Sequence, residues 1–128
     1  MSRALLDTSV FVAEEQGRPL ARALPDEVAV SVVTLAELET GVLMARDDDS
    51  RATRMQTLLS VRERAAGIPA DQRVASAYAR LASAALKGGK KPRVQDTWIA
   101  ATAVVHDAEV WTQDDDFTEF ASVDVVRV

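Results

Sequence analysis

Short apolar runs alternate along this chain with longer stretches whose apolar residues recur every three or four positions. The run Ala4-Leu5-Leu6 reads as a strand that stops at Asp7-Thr8-Ser9. Asp and Ser accept hydrogen bonds from the free N–H groups of a helix start, so a helix is expected next. Residues 18–24 read as a short helix ended by Pro25, and Val28-Ala29-Val30 as a second strand. Val32, Leu35, Leu38 and Val42 fall at helical spacing and predict a helix over 32–45. The acidic run Asp47-Asp48-Asp49-Ser50 interrupts that pattern and can cap a further helix over 51–66. That helix is expected to turn Met55, Leu58 and Leu59 inward and its four arginines outward, with Gly67 as its stop. Residues 68–70 make a weak strand, and Asp71 then caps a helix carrying Val74, Tyr78, Leu81 and Ala85 on one stripe. A basic loop, Lys87–Arg93, precedes a helix over 95–106 and a strand at Val110-Trp111-Thr112. After the acidic loop 113–116 come a short turn with Phe117 and Phe120 and a last strand over 124–128.

Strands alternating with helices predict an α/β fold, with a mainly parallel central sheet covered by helices on both faces in three layers. Such sheets bind ligands beyond the carboxyl ends of their strands. The length, 128 residues, suits one domain over 1–128. A 48% hydrophobic and 27% charged composition excludes a disordered or fibrous chain. The chain has no Cys and one histidine, His106, so thiolate chemistry and multi-histidine metal sites are excluded and a metal would need oxygen ligands. A net charge of −5 argues against bulk electrostatic binding of nucleic acid, though not against a local site. No apolar run approaches the roughly 20 residues of a membrane helix. Asp7 and Glu14-Glu15 break the N-terminal apolar segment, so no signal peptide is expected and the expected location is the cytoplasm.

Four acids fall where this architecture builds a site. Asp7 follows the first strand, Glu37 lies in the helix after the second, and Asp96 sits in the first turn of a late helix. Asp114, with Asp115 and Asp116, follows the strand at 110–112. Glu37 shares a helix line with Val33 and Gly41, and Asp96 with Ala100 and Ala103. Gathered carboxylates repel, and at neutral pH they take up protons or a hard cation. Mg²⁺ or Mn²⁺ suits an all-oxygen site and can activate water against a phosphodiester. Each acid also has a plain structural reading: Asp7 as a helix cap, Glu37 as a surface acid, Asp96 as a helix-dipole partner, and Asp114–Asp116 as a solvated turn.

Four segments around these acids resemble the motifs of PIN domains, specifically the VapC-type toxin ribonucleases. They are Leu6–Val10 (LDTSV), Ser31–Gly41 (SVVTLAELETG), Gln95–Ala103 (QDTWIAATA) and Thr112–Phe117 (TQDDDF). The resemblance spans nearly the whole chain. It implies a parallel α/β/α sandwich and a Mg²⁺- or Mn²⁺-dependent endoribonuclease that is the toxin of a type II toxin–antitoxin module. It carries Asp7, Glu37, Asp96 and Asp114 over as the acidic cluster, with Asp7 and Asp96 the principal metal ligands. Thr8, Thr112 and Asp116 would support the cluster from behind. It also implies a VapB-type antitoxin partner, an RNA substrate and a toxin homodimer.

Two other readings stand beside this one. A receiver-type phosphoacceptor domain has a similar length and an acidic site. It needs paired acids after the first strand and a lysine after a late one, whereas Asp7 is followed by Thr8-Ser9 and Thr112 by acids. A catalytically inactive PIN-like interaction module would not need all four acids. Lys90, Lys91 and Arg93 lie just before Asp96, where they would hold RNA phosphates or form a solvated loop. Trp98 and Trp111 are expected in the core, and His106 as a helix-dipole partner at a helix end.

Overall fold

The computed structural model describes residues 3–128. Its strands are β1 (Arg3–Leu6), β2 (Val28–Ser31), β3 (Ala65–Ile68), β4 (Ala108–Thr112) and β5 (Val125–Arg127). Its helices are α1 (Thr8–Glu15), α2 (Val32–Leu43), α3 (Asp48–Arg64), α4 (Gln72–Lys87) and α5 (Val94–Val105), with a 3-10 turn at Asp115–Glu119. The five strands form one sheet in the order β3-β2-β1-β4-β5, and every neighbouring pair is parallel.

Alternation along β1 explains the three layers. Ala4 and Leu6 point to one face, where they meet Val10 and Phe11 of α1, Leu38 and Val42 of α2, and Leu58 and Val61 of α3. Leu5 points to the other, against Ile99, Ala100 and Ala103 of α5. Outside α5 lies α4, whose Val74 and Ala77 close a small cluster with Ala101, and whose Tyr78 ring stacks on Trp98 at 4.3 Å. Trp111 is buried in the first core, as expected, while Trp98 is half-buried. Among the described residues no helix is long and apolar enough to cross a membrane.

The structure departs from the sequence expectations in several places. Residues 18–24 are not helical. Gly17 has φ +72°, and Arg18 N–H and Gly17 N–H bond back to the carbonyls of Ala13 and Glu14. That is a Schellman closure of α1. Pro19 and Pro25 then leave too few residues between them for a helix. Next, α3 ends at Arg64 rather than 66, and the following strand is Ala65–Ile68 rather than 68–70. Alanine favours helix locally, but pairing of Ala65–Ile68 with Val28–Ser31 overrides it. Gly67 is therefore no helix stop. A Cβ there would stand 3.3 Å from Leu35 Cδ1, so glycine permits α2 to approach β3. Of the three residues expected inward on α3, only Leu58 is buried. Met55 and Leu59 are exposed, and Val61 takes the inner position. Finally, α2 stops at Leu43, two residues short of the expected end. The caps at Asp47 and Asp71 form as expected, accepting from the N–H groups of Ser50 and Val74.

Candidate active site

Chain order changes direction at β1, which has β2 on one side and β4 on the other. Parallel sheets open a crevice at such a switch point, beyond the carboxyl ends of the strands. Asp7 follows β1 there, Thr112 ends β4, and Ser31 ends β2 as the cap of α2. Asp7 is buried, and its N–H bonds to the carbonyl of Trp111, which fixes it against β4. It is indeed the N-cap of α1. One carboxylate oxygen, Oδ2, receives the hydroxyls of Ser9 at 2.6 Å and Thr112 at 2.9 Å. Among the described residues Oδ1 receives no hydrogen bond, so capping consumes only one edge of the carboxylate.

The other acids approach from separate elements. Glu37, on α2, accepts the Thr8 hydroxyl at 2.8 Å, and Thr8 Oγ1 lies 3.2 Å from buried Thr34 Oγ1. Burial raises the Glu37 pKa above the usual carboxylate value, Asp7 adds to the rise, and the Thr8 hydrogen bond partly offsets it. Asp96, in the first turn of α5, is pushed up to about 6, mainly by burial and then by the charges of Asp7, Asp116 and Asp114. Asp114 is likewise raised by burial, with Asp7 and Asp116 adding to it. Asp7 thus lies close enough to Glu37, Asp96 and Asp114 to perturb each of them.

The triple acid after β4 divides by partner. Asp115 pairs with Arg127, and Asp116 with Arg93. Arg93 holds the Asp116 carboxyl below its ordinary pKa. Asp114 forms no ion pair among the described residues, and its N–H bonds to Thr112 Oγ1 at 2.9 Å. Of the three supporting residues expected from sequence, Thr8 and Thr112 touch the cluster acids directly, whereas Asp116 engages Arg93. Sequence reasoning missed Ser9 as a site residue. Its hydroxyl meets Asp7, lies 3.2 Å from Thr112 and accepts the Gln113 N–H at 3.0 Å. It also missed Thr34, although that residue lies one helical turn before Glu37 and so shares its face.

A family model described as PIN domain matches residues 4–123. The chain belongs to the PIN domain family. It is 48% identical over 128 residues to Ribonuclease VapC5 of Mycobacterium tuberculosis, covering 97% of this chain and 94% of the relative. Ribonuclease VapC4 of the same organism is 40% identical over 132 residues, covering 98% and 97%. The solved structure of VapBC-5, a member of the VapBC family of toxin-antitoxin systems from M. tuberculosis, superposes with a TM-score of 0.87 at 43% identity, covering all of both chains.

Of the three cations expected near the site of this PIN domain, only Arg93 meets the acidic cluster among the described residues. Arg93 pairs with Asp116 and lies 4.0 Å from Asp96 Oδ2. Lys90 lies 4.0 Å from Glu119, and Lys91 is exposed. The arginines of α3 are engaged elsewhere: Arg51 with Asp48, Arg54 with the Gly41 carbonyl, Arg62 with Glu39 and Arg64 with Glu14. Among the described residues no three potential ligands converge as they stand on a single ion position. The donor set still fits Mg²⁺ or Mn²⁺. It is all oxygen, its carboxyls are raised first by burial and then by the charge of Asp7, both of which a bound cation would offset, and Mg²⁺ usually takes one or two carboxylates and keeps several waters.

Proposed function

We propose that this chain is a divalent-metal-dependent endoribonuclease and the toxin of a VapBC-type toxin–antitoxin pair. The observation that best supports the reading is that Asp7 follows β1 at the switch point of the sheet and that its charge, after burial, raises the pKa of Glu37, Asp96 and Asp114. The full-length similarity to VapC ribonucleases supports the same activity. An inactive interaction module would gain nothing from keeping this mutual repulsion.

Asp7 and Asp96 are the principal ligands in this reading, with Glu37 and Asp114 completing the site directly or through water. Mg²⁺ or Mn²⁺, when bound there, supplies an activated water and neutralises charge on the phosphodiester. The chain's own residues do the rest. Ser9 and Thr112 hold Asp7 by Oδ2 and leave Oδ1 without a hydrogen bond among the described residues. Thr8 orients Glu37, and Arg93 keeps Asp116 from adding its full charge to the cluster. Lys90, Lys91 and Arg93 line the approach and attract RNA phosphates to a protein of net charge −5.

An antitoxin partner fits the full-length likeness to VapBC-5 of the VapBC toxin-antitoxin family, and a homodimer fits the family resemblance. We place the reaction in the cytoplasm, with cellular RNA. Induced expression of the chain alone should arrest growth. Co-expression of the antitoxin encoded beside it should restore growth, and cells expressing Asp7→Asn or Asp96→Asn should grow normally. Normal growth with abundant folded wild-type protein would overturn the toxin role.

A further inference from the structure

A concavity the site chemistry does not use borders the start of α5, where Arg93 and Thr97 of its lining flank Asp96 in sequence. It is a recess of about 380 Å³ between the end of α4, the Lys87–Arg93 loop and the segment after the 3-10 turn. We propose that this recess receives a nucleobase of the RNA, beside the phosphate cut at the acidic site. The proposal rests on the ribonuclease reading above and deepens it.

Position comes first. Arg93 and Thr97 line the recess, and Asp96 lies between them in the first turn of α5. The Arg93 guanidinium therefore belongs to both places, being 4.0 Å from Asp96 Oδ2 while forming part of the recess wall. A nucleotide whose phosphate meets Asp96 has its base within reach of the recess.

Chemistry comes second. The inner wall is apolar, with Leu81, Ala85 and Phe120, whereas the rim carries Lys90, Lys91 and Arg93. That division matches a nucleotide, whose base is flat and weakly polar and whose phosphates are anionic. The volume lies within the range of about 300–1,000 Å³ usual for small-ligand sites. Phe120 is half-buried, and its ring is braced at 5.9 Å by fully buried Phe117, so one face is a fixed stacking platform. Glu119 is the one acid of the lining. Its carboxylate can accept from an exocyclic amino group, which favours cytosine, adenine or guanine over uracil. Its contact with Lys90 is 4.0 Å long and both side chains are well exposed, so opening it for a base costs little. Three cations on the rim favour RNA over an acyl chain or an apolar peptide as occupant.

The test uses the four nucleoside 5′-monophosphates, read by amide chemical shifts of the whole chain, and RNA cleavage with Mn²⁺. Ala84 is an exposed helical residue at the mouth of the recess, and leucine there keeps the helix while filling the space. We expect the cytidine, adenosine and guanosine nucleotides to shift Ala84, Phe120 and Ser122 more than the uridine nucleotide does. Ala84→Leu should abolish those shifts and lower kcat/KM on RNA about tenfold, the size of one lost base stack. Phe120→Ala should act in the same direction. The rise in melting temperature caused by Mn²⁺ should be unchanged in Ala84→Leu, since the acids are untouched. Nucleotides that leave Phe120 unmoved, or an Ala84→Leu protein that cleaves with wild-type kcat/KM and base preference, would overturn the proposal. So would a recess that binds an apolar peptide and ignores nucleotides. If nucleotides bind in the recess but the wild type cleaves no RNA, the ribonuclease reading fails and the base site stands.

Discussion

Replacing Asp96 with asparagine separates the electrostatic cost of the cluster from its chemistry. The Asp96 carboxyl is raised from 3.8 to about 6 in the folded chain, first by burial and then by Asp7 and Asp116. An acid whose folded pKa lies above its unfolded value stabilises the fold fully below the unfolded pKa, and that stability is lost as pH rises through the folded pKa. The metal-free wild type should therefore lose stability between about pH 4 and pH 7. A rise of about two units is worth at most ~3 kcal/mol at about 1.4 kcal/mol per unit. Partial exposure of the side chain and its place at a helix N-terminus reduce this to about 1–2 kcal/mol. Asp96→Asn keeps the shape and removes the charge. In EDTA, its urea-unfolding free energy should exceed that of wild type by about 1–2 kcal/mol at pH 7.5 and match it near pH 4. RNA cleavage by the variant should collapse at every pH. An Asp96→Asn protein less stable than wild type at pH 7.5 would refute the reasoning, because Asp96 would then be a structural acid whose ionised form the fold prefers.

Thr112→Val leaves buried Asp7 Oδ2 one hydroxyl short and takes the acceptor from the part-buried Asp114 N–H. It should cost about 1–3 kcal/mol of stability by denaturant titration and weaken Mn²⁺ binding by calorimetry. Unchanged Mn²⁺ affinity would show that Thr112 does not position Asp7. Replacing Lys90 and Lys91 together by alanine should flatten the slope of log affinity for single-stranded RNA against log salt by about 1, equally for all sequences. A wild-type slope would make that loop a solvated one.

Much of this fold can be read from short-range pattern, because β1 is a continuous apolar run buried on both faces and apolar positions recur every three to four residues along α2 and α4. The misreadings occur where a distant partner decides. Residues 65 and 66 look like the end of a helix and become strand only against β2. Residues 18–24 are diverted by the Gly17 turn that closes α1. At the site, Asp7 shows why a capping role and a functional role need not compete, since Ser9 and Thr112 occupy one oxygen and leave the other. Choosing among Asp114, Asp115 and Asp116 is open at the level of the motif. Arg127 and Arg93, far apart in the chain, engage the second and third and leave the first beside Asp7 and Asp96. Thr34 is signalled only by its helical spacing from Glu37 and Ser9 only by its place beside Asp7, and their contacts exist only once β1, β4 and α2 are side by side.

The central claim is metal-dependent cleavage of RNA at the Asp7–Asp96 crevice. It is tested most directly by incubating purified chain with a labelled single-stranded RNA after exhaustive chelation, then restoring Mg²⁺ or Mn²⁺, with Asp7→Asn and Asp96→Asn in parallel. The account predicts no internal cleavage without metal, restoration on adding either ion to the wild type, and none in the variants. Undiminished cleavage by fully metal-free protein, or wild-type rates from folded Asp7→Asn or Asp96→Asn, would contradict it.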